Sequence, residues 1–135
     1  MNIDNNYQNI KHKINLEIEN IFTNNINKYV KYIYAGQTSQ TVEERFNQHI
    51  KEDSKFVGME PYELTSLNIH SPELAAKAEQ YLINKISKCF YSQCLNAKKK
   101  NGKIAQLGGV GESQQYELHR LYILIKFVEP QINFV

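Results

Sequence analysis

KYVKYIYAG, residues 28–36, decides the fold. Tyrosine, valine and isoleucine fill it, types that suit a packed, pleated surface, and it ends in glycine, so it predicts a buried strand. The residues before it do not continue that pattern. TNNIN at 23–27 is a turn cluster. Ahead of it, Ile10, Ile14, Ile18 and Ile21 recur at helical spacing, with Leu16 off the stripe, which predicts a helix over 5–20. After the strand, GQTSQ leads to Thr41, a hydroxyl placed to cap a helix over 42–51 whose Val42, Phe46, His49 and Ile50 share one side. Glu44, three residues after Thr41, completes the sequence pattern of a capping box. PYELTSLNI at 61–69 alternates as a strand does. Ser71 then caps, and Pro72 opens, an alanine-rich helix over 72–87. Leu74 stands in the capping-box slot of that helix, so Glu73 supplies the acid of its first turn instead. Residues 98–113 are a polar glycine–lysine loop, and YELHRLYILIKFV at 116–128 reads as helix or strand, its β-branched end favouring strand over 121–128. Helices and strands therefore alternate, with no internal repeat, and the whole of 1–135 is expected to be a single domain.

Bulk composition narrows the function classes. Of 135 residues, 41 % are hydrophobic and 22 % charged, an ordinary globular balance. No apolar run approaches the roughly 20 residues that span a bilayer, and MNIDNNYQNIKHK at the start lacks the apolar core of a secretory leader. Cys89 and Cys94 have no cysteine or histidine at ligand spacing, so buried thiols in a reducing cytosol are expected rather than zinc. Net charge is only +2, too small for the whole molecule to attract DNA strongly. The lysines are uneven, however: Lys98, Lys99, Lys100 and Lys103 cluster in NAKKKNGK, whereas Arg45 and Arg120 are the only arginines.

Chemistry-bearing residues follow in a definite order. A strand ends in Tyr34-Ala35-Gly36, followed by Gln37-Thr38. A helix then carries Arg45 and, one turn later, His49; another carries Glu79; Asn96 precedes a glycine pair, Gly108-Gly109. Each has a plainer role when taken alone: Tyr34 as a sheet aromatic, Arg45 and Glu79 as solvated charges, His49 as a half-buried helix residue, Asn96 as a cap. Taken in order, over about residues 20–111, they resemble the GIY-YIG nuclease superfamily. Tyr34-Ala35-Gly36 stands where that family has Tyr-Ile-Gly, TVEERFNQH resembles its Arg-x-x-x-His helix, and Glu79 looks like its metal-binding glutamate. One stretch departs. The motif's first half, Gly-Ile-Tyr, matches best at Asn20-Ile21-Phe22, where phenylalanine replaces tyrosine; Tyr29 and Tyr32 are the nearest hydroxyls.

The resemblance implies an α/β (α+β) fold with a small, central, mainly antiparallel three-stranded sheet flanked by helices 42–51 and 72–87. It implies a metal-dependent endonuclease that hydrolyses DNA phosphodiester bonds with Mg²⁺ or Mn²⁺. Glu79 offers that ion a hard oxygen ligand, and Arg45 can hold two phosphate oxygens without losing its charge. Tyr34, helped by Tyr32, is the candidate base, and His49 is placed to orient water or contact phosphate. Gly36 and Asn96 support the site. Lys98, Lys99, Lys100 and Lys103 are expected on the DNA backbone. The substitution at Phe22 keeps a second reading open, a catalytically degenerate, nuclease-derived DNA-binding or regulatory domain; an unrelated protein–protein module is a third. The expected setting is intracellular, in a cell or encoded by a virus, phage or mobile element. DNA is the expected partner, with a second protein or a second copy supplying specificity.

Overall fold

RLYILIKF, whose periodicity leaves helix and strand open, is a strand, and it is the middle one. The computed structural model describes residues 3–96 and 117–128. In chain order these are α1 (Ile3–Thr23), β1 (Val30–Thr38), α2 (Val42–Glu52), a single 3-10 turn (Ser54–Phe56), β2 (Glu60–Glu63), α3 (Pro72–Cys89) and β3 (Arg120–Phe127). The strands form one three-stranded antiparallel sheet in the order β1-β3-β2. Leu121 through Ile125 are all at 0 % exposure. A strand covered on both faces and paired on both edges shows an unbroken apolar run rather than alternation, and each such side chain contributes about 1.5–3 kcal/mol by leaving water.

The two faces of the sheet are packed differently. On one, Ile33 and Ala35 of β1 and Leu121, Ile123 and Ile125 of β3 meet Ile10, Ile14 and Ile18 of α1 and Ala75, Ala78, Leu82, Ile83 and Ile86 of α3. On the other, Tyr32 and Tyr34 of β1 and Tyr122 and Leu124 of β3 meet Val42, Phe46 and Ile50 of α2, together with Phe56 and Met59. Capping fixes where the helices start: Glu44 N donates to Thr41 Oγ1 at 3.1 Å, and Leu74 N to Ser71 Oγ at 3.2 Å. Gly58, at φ 85°, makes the left-handed turn into β2, and Pro61 sits in an edge strand, where a missing N–H is tolerated.

Several expected boundaries shift. The first helix runs on to Thr23, its end held by Asn24 N on Asn20 O (3.1 Å) and by Asn25 Nδ2 on Ile21 O (2.7 Å). Asn20-Ile21-Phe22 is therefore helical and is not the first strand of the sheet. Strand 61–69 contracts to Glu60–Glu63. Leu64 N still reaches Leu121 O at 2.9 Å, but the chain then turns, Leu67 N bonding Leu64 O, and only Ile69 returns to accept from His119 N at 2.8 Å. The apparent alternation came from Leu64, Leu67 and Ile69 each dipping into the core from this turn. Both cysteines are free thiols, but only Cys94 is buried; Cys89 is exposed. The lysine cluster Lys98, Lys99, Lys100, Lys103 and the pair Gly108-Gly109 lie outside the described residues. Among the described residues, no helix is long and apolar enough to cross a membrane.

Candidate active site

β1 and β3 set the floor. Gly36 lies directly opposite Tyr122 in the antiparallel register, so the two share a face. A β-carbon on Gly36 would lie 2.5 Å from the Tyr122 hydroxyl and 2.7 Å from its Cζ. Glycine is needed here because the tyrosine occupies the space that any side chain would fill. Tyr34 stands next to this gap on the same face, its ring 6.5 Å from that of Tyr122 between centroids.

α2 lies across this floor. Its helical spacing carries Arg45 and His49 on one face. His49 is buried, and its Nε2 is 2.8 Å from the Tyr122 hydroxyl. Its ring meets the Tyr34 ring edge-on at 4.9 Å and stacks on Phe56 at 4.6 Å. Burial, and secondarily the Arg45 charge, lower the His49 pKa to about 4, with Glu52 opposing; the imidazole is neutral at neutral pH. Arg45 is half-buried and lies back along its own helix, Nη1 3.1 Å from Gln48 Oε1 and 3.6 Å from Glu52 Oε1.

α3 approaches from the other face of the sheet. Its Glu79 is only 4 % exposed. Burial pushes its carboxyl up to about 7, and Gln37, next to Gly36 on β1, partly offsets that shift. Glu79 Oε1 and Gln37 Nε2 are both buried and have no hydrogen-bond partner among the described residues. A buried carboxylate oxygen in that state costs free energy until something polar or cationic meets it. The two helices are on opposite sides of the sheet, yet both charges reach one hydroxyl. Burial raises the Tyr122 pKa far above its ordinary value; Tyr34 adds to the rise, the Arg45 charge opposes it and the Glu79 charge adds again.

The remaining sequence candidates fall into place around this cluster. Asn96, buried, clamps the outer edge of β1 next to Gly36: Ala35 N donates to its Oδ1 (3.1 Å) and its Nδ2 donates to Ala35 O (2.9 Å). With Ile33 N on Gln93 O and Leu95 N on Ile33 O, this side chain completes a short stand-in for a fourth strand and closes an otherwise open edge. Tyr32 lies one pleat before Tyr34, with the Lys31 ammonium 5.7 Å from its ring. Tyr29 is 79 % exposed ahead of β1. Phe22 is on the opposite side of the sheet, its ring 5.2 Å from Phe90 in the α1–α3 core. Sequence reading missed Tyr122 and Gln37. A tyrosine inside an apolar central strand was the available signal for the first, because a buried phenol needs a polar partner.

The model of the GIY-YIG catalytic domain matches residues 21–92, more than half of the chain. The chain belongs to the GIY-YIG family, and its function is accordingly of nuclease type, in a family whose nucleases are generally metal-dependent. The match stops short of β3, so Tyr122 lies outside it. No curated protein and no solved structure matches the chain.

Proposed function

We propose that this protein is a metal-dependent endonuclease that hydrolyses DNA phosphodiester bonds with Mg²⁺ or Mn²⁺ held by Glu79. The observation that carries this reading is the Glu79 carboxylate: buried, beside Gln37 of β1, and with no hydrogen-bond partner at Oε1 among the described residues. No group of three or more acidic, histidine or cysteine ligands exists among the described residues. A single carboxylate suits a hard cation that keeps most of its waters. When bound, the ion supplies Lewis-acid stabilisation of the phosphate charge and an acidified water.

This chain's own residues do the rest. Arg45, half-buried, can exchange its exposed partners Gln48 and Glu52 for phosphate oxygens while its side chain also meets the Tyr122 hydroxyl. Tyr34, half-buried at the floor, would take the proton of the attacking water as phenolate, the form that the Arg45 charge and a bound cation would favour, with Tyr32 next along the strand. His49 is 3 % exposed, so it acts from behind the reacting layer, through Tyr122 and Tyr34, rather than by touching phosphate. Lys98, Lys99, Lys100 and Lys103 supply sequence-independent backbone contacts. A partner protein or a second copy of the chain supplies target specificity. The degenerate-binder reading rested on Phe22, and Phe22 packs in the core on the far side of the sheet.

Incubation with duplex, branched and single-stranded DNA, with Mg²⁺ or Mn²⁺ and with chelator, tests the proposal. Cleavage that appears only with metal, and disappears in Glu79→Ala while DNA binding persists, is the expected result. An absence of cleavage on every substrate would overturn it.

A further inference from the structure

We infer that the site is completed by β3: Tyr122 is a positioning residue whose hydroxyl, seated over Gly36 and bonded to His49, holds the reacting layer in register. This inference rests on the nuclease reading above and adds a residue that lies outside the family match.

Three observations carry it. The first is contact. The Tyr122 hydroxyl is the one polar atom in the Leu121–Ile125 side chains of the central strand, and it meets His49 Nε2 at 2.8 Å, between residues 73 positions apart, with the Arg45 side chain also bonding to it. A buried hydroxyl that served packing alone could be phenylalanine at lower desolvation cost. The second is space. Gly36 provides the volume: with any β-carbon there, the hydroxyl would be displaced. The third is linkage. Tyr122 holds His49, and the His49 ring abuts Tyr34 at 4.9 Å while Arg45 lies one turn away on the same helix. The charged and titratable groups around the pair are Arg45 and Glu52 on α2, Tyr34 on β1 and Glu79 on α3. One hydroxyl therefore joins the central strand to the helix that carries the arginine, at the point where the edge strand carries no side chain. Freed from it, His49 and the Tyr34 ring against it lose their fixed positions.

Neither end of the bond reaches solvent, so Tyr122 acts through His49 and Tyr34, not on DNA. Loss of placement by about 1 Å costs on the order of 100-fold in rate. Tyr122→Phe keeps the ring and removes only the hydroxyl. We expect kcat to fall about 100-fold, with KM and DNA affinity within about threefold of wild type. We also expect the ¹⁵N shifts of the His49 ring to change in the DNA-free protein, because Nε2 loses its partner. Phe22→Tyr should change nothing, alone or combined with Tyr122→Phe. Should Tyr122→Phe fail to fold, His49→Asn replaces it, since the shorter side chain cannot reach the hydroxyl. Normal cleavage by the folded variant, or restoration of cleavage by Phe22→Tyr, overturns the inference. If the wild-type protein cleaves nothing, the nuclease reading falls by itself, and the ¹⁵N spectrum then decides the Tyr122–His49 link: unchanged ring shifts in Tyr122→Phe reject it.

Discussion

The two faces of the sheet use the same strands for opposite purposes. Toward α1 and α3, β1 and β3 present Ile33, Ala35, Leu121, Ile123 and Ile125, and the buried surface there is almost wholly aliphatic. Toward α2 they present Tyr32, Tyr34 and Tyr122; Tyr34 meets His49 and Phe56 ring against ring, and Tyr122 meets His49. The first face can lose a methyl group and lose only stability. On the nuclease reading proposed above, the second should lose chemistry when it loses a single oxygen. Glu79 bridges the two: it grows from the helix that covers the aliphatic face, yet its charge is felt at the Tyr122 hydroxyl on the other. A strand with period-two alternation makes this division available at no extra cost in chain length.

Substitutions can take the two faces apart. The largest effect is expected from Glu79→Ala, which removes the carboxylate proposed to hold the metal: cleavage in a plasmid assay should drop by at least ~1000-fold while a gel-shift assay shows nearly unchanged DNA binding. Arg45→Ala should cost ~100- to 1000-fold in cleavage and, unlike the glutamate variant, should also weaken binding severalfold, because it removes a phosphate contact. On the aliphatic face, Ile123→Ala should cost about 2–5 kcal/mol in a urea titration, with kcat per folded molecule unchanged; a loss of kcat there would break the division between the faces. Tyr34→Phe should do the reverse, sparing stability and lowering kcat ~100-fold if its hydroxyl takes the proton. Should Tyr32→Phe show that loss instead, the base is one pleat back.

The smallest expected effect concerns pH. In metal-free protein the Glu79 pKa of about 7 is raised above its ordinary 4.5 by burial, so its contribution is full below about 4.5 and is lost as pH rises through about 7. His49 is displaced the other way, from 6.5 to about 4; its contribution is full above about 6.5 and is lost as pH falls through about 4. Between these values the two slopes oppose each other. Thermal unfolding of Glu79→Gln should therefore show stability rising with pH across 4–6.5, and above pH 7 the variant should exceed wild type by up to about 2 kcal/mol after allowance for solvent screening. His49→Asn should show stability falling with pH instead. Saturating Mg²⁺ should erase the Glu79 slope in the wild type, since a bound cation keeps the carboxylate charged.

Much of this was legible from local signals. KYVKYIYAG announces its strand, and Thr41 and Ser71 mark the two flanking helices because a cap is a contact between residues three apart. Arg45, His49, Glu79 and Asn96 all stand close to the sheet where order along the chain suggested, Asn96 as a clamp on Ala35. What was not legible is non-local. Nothing in RLYILIKF says that it lies between two strands that precede it, and without that order Tyr122 is only an aromatic in an apolar run. The same gap bears on residues 20–22. Spacing from Tyr34 made Asn20-Ile21-Phe22 the best match to the motif's first half, but the isoleucine stripe of α1 continues through Ile21 and packs toward α3, and tertiary burial of a helical stripe outweighs a three-residue match. The length of β2 was overestimated for a related reason: a turn that buries every second or third side chain looks, in one dimension, like a strand.

The place of β3 has a consequence in time. Among the described residues, β3 is the one named strand that β1 and β2 pair with, and His49 waits for a partner 73 positions further along the chain. At about 5–20 residues per second of synthesis, α2 and α3 leave the ribosome seconds before the strand that joins their site together. Until it threads between its two neighbours, the glutamate and the arginine have no common floor. On the nuclease reading proposed above, the order of the strands alone withholds cutting activity while each molecule is still being translated.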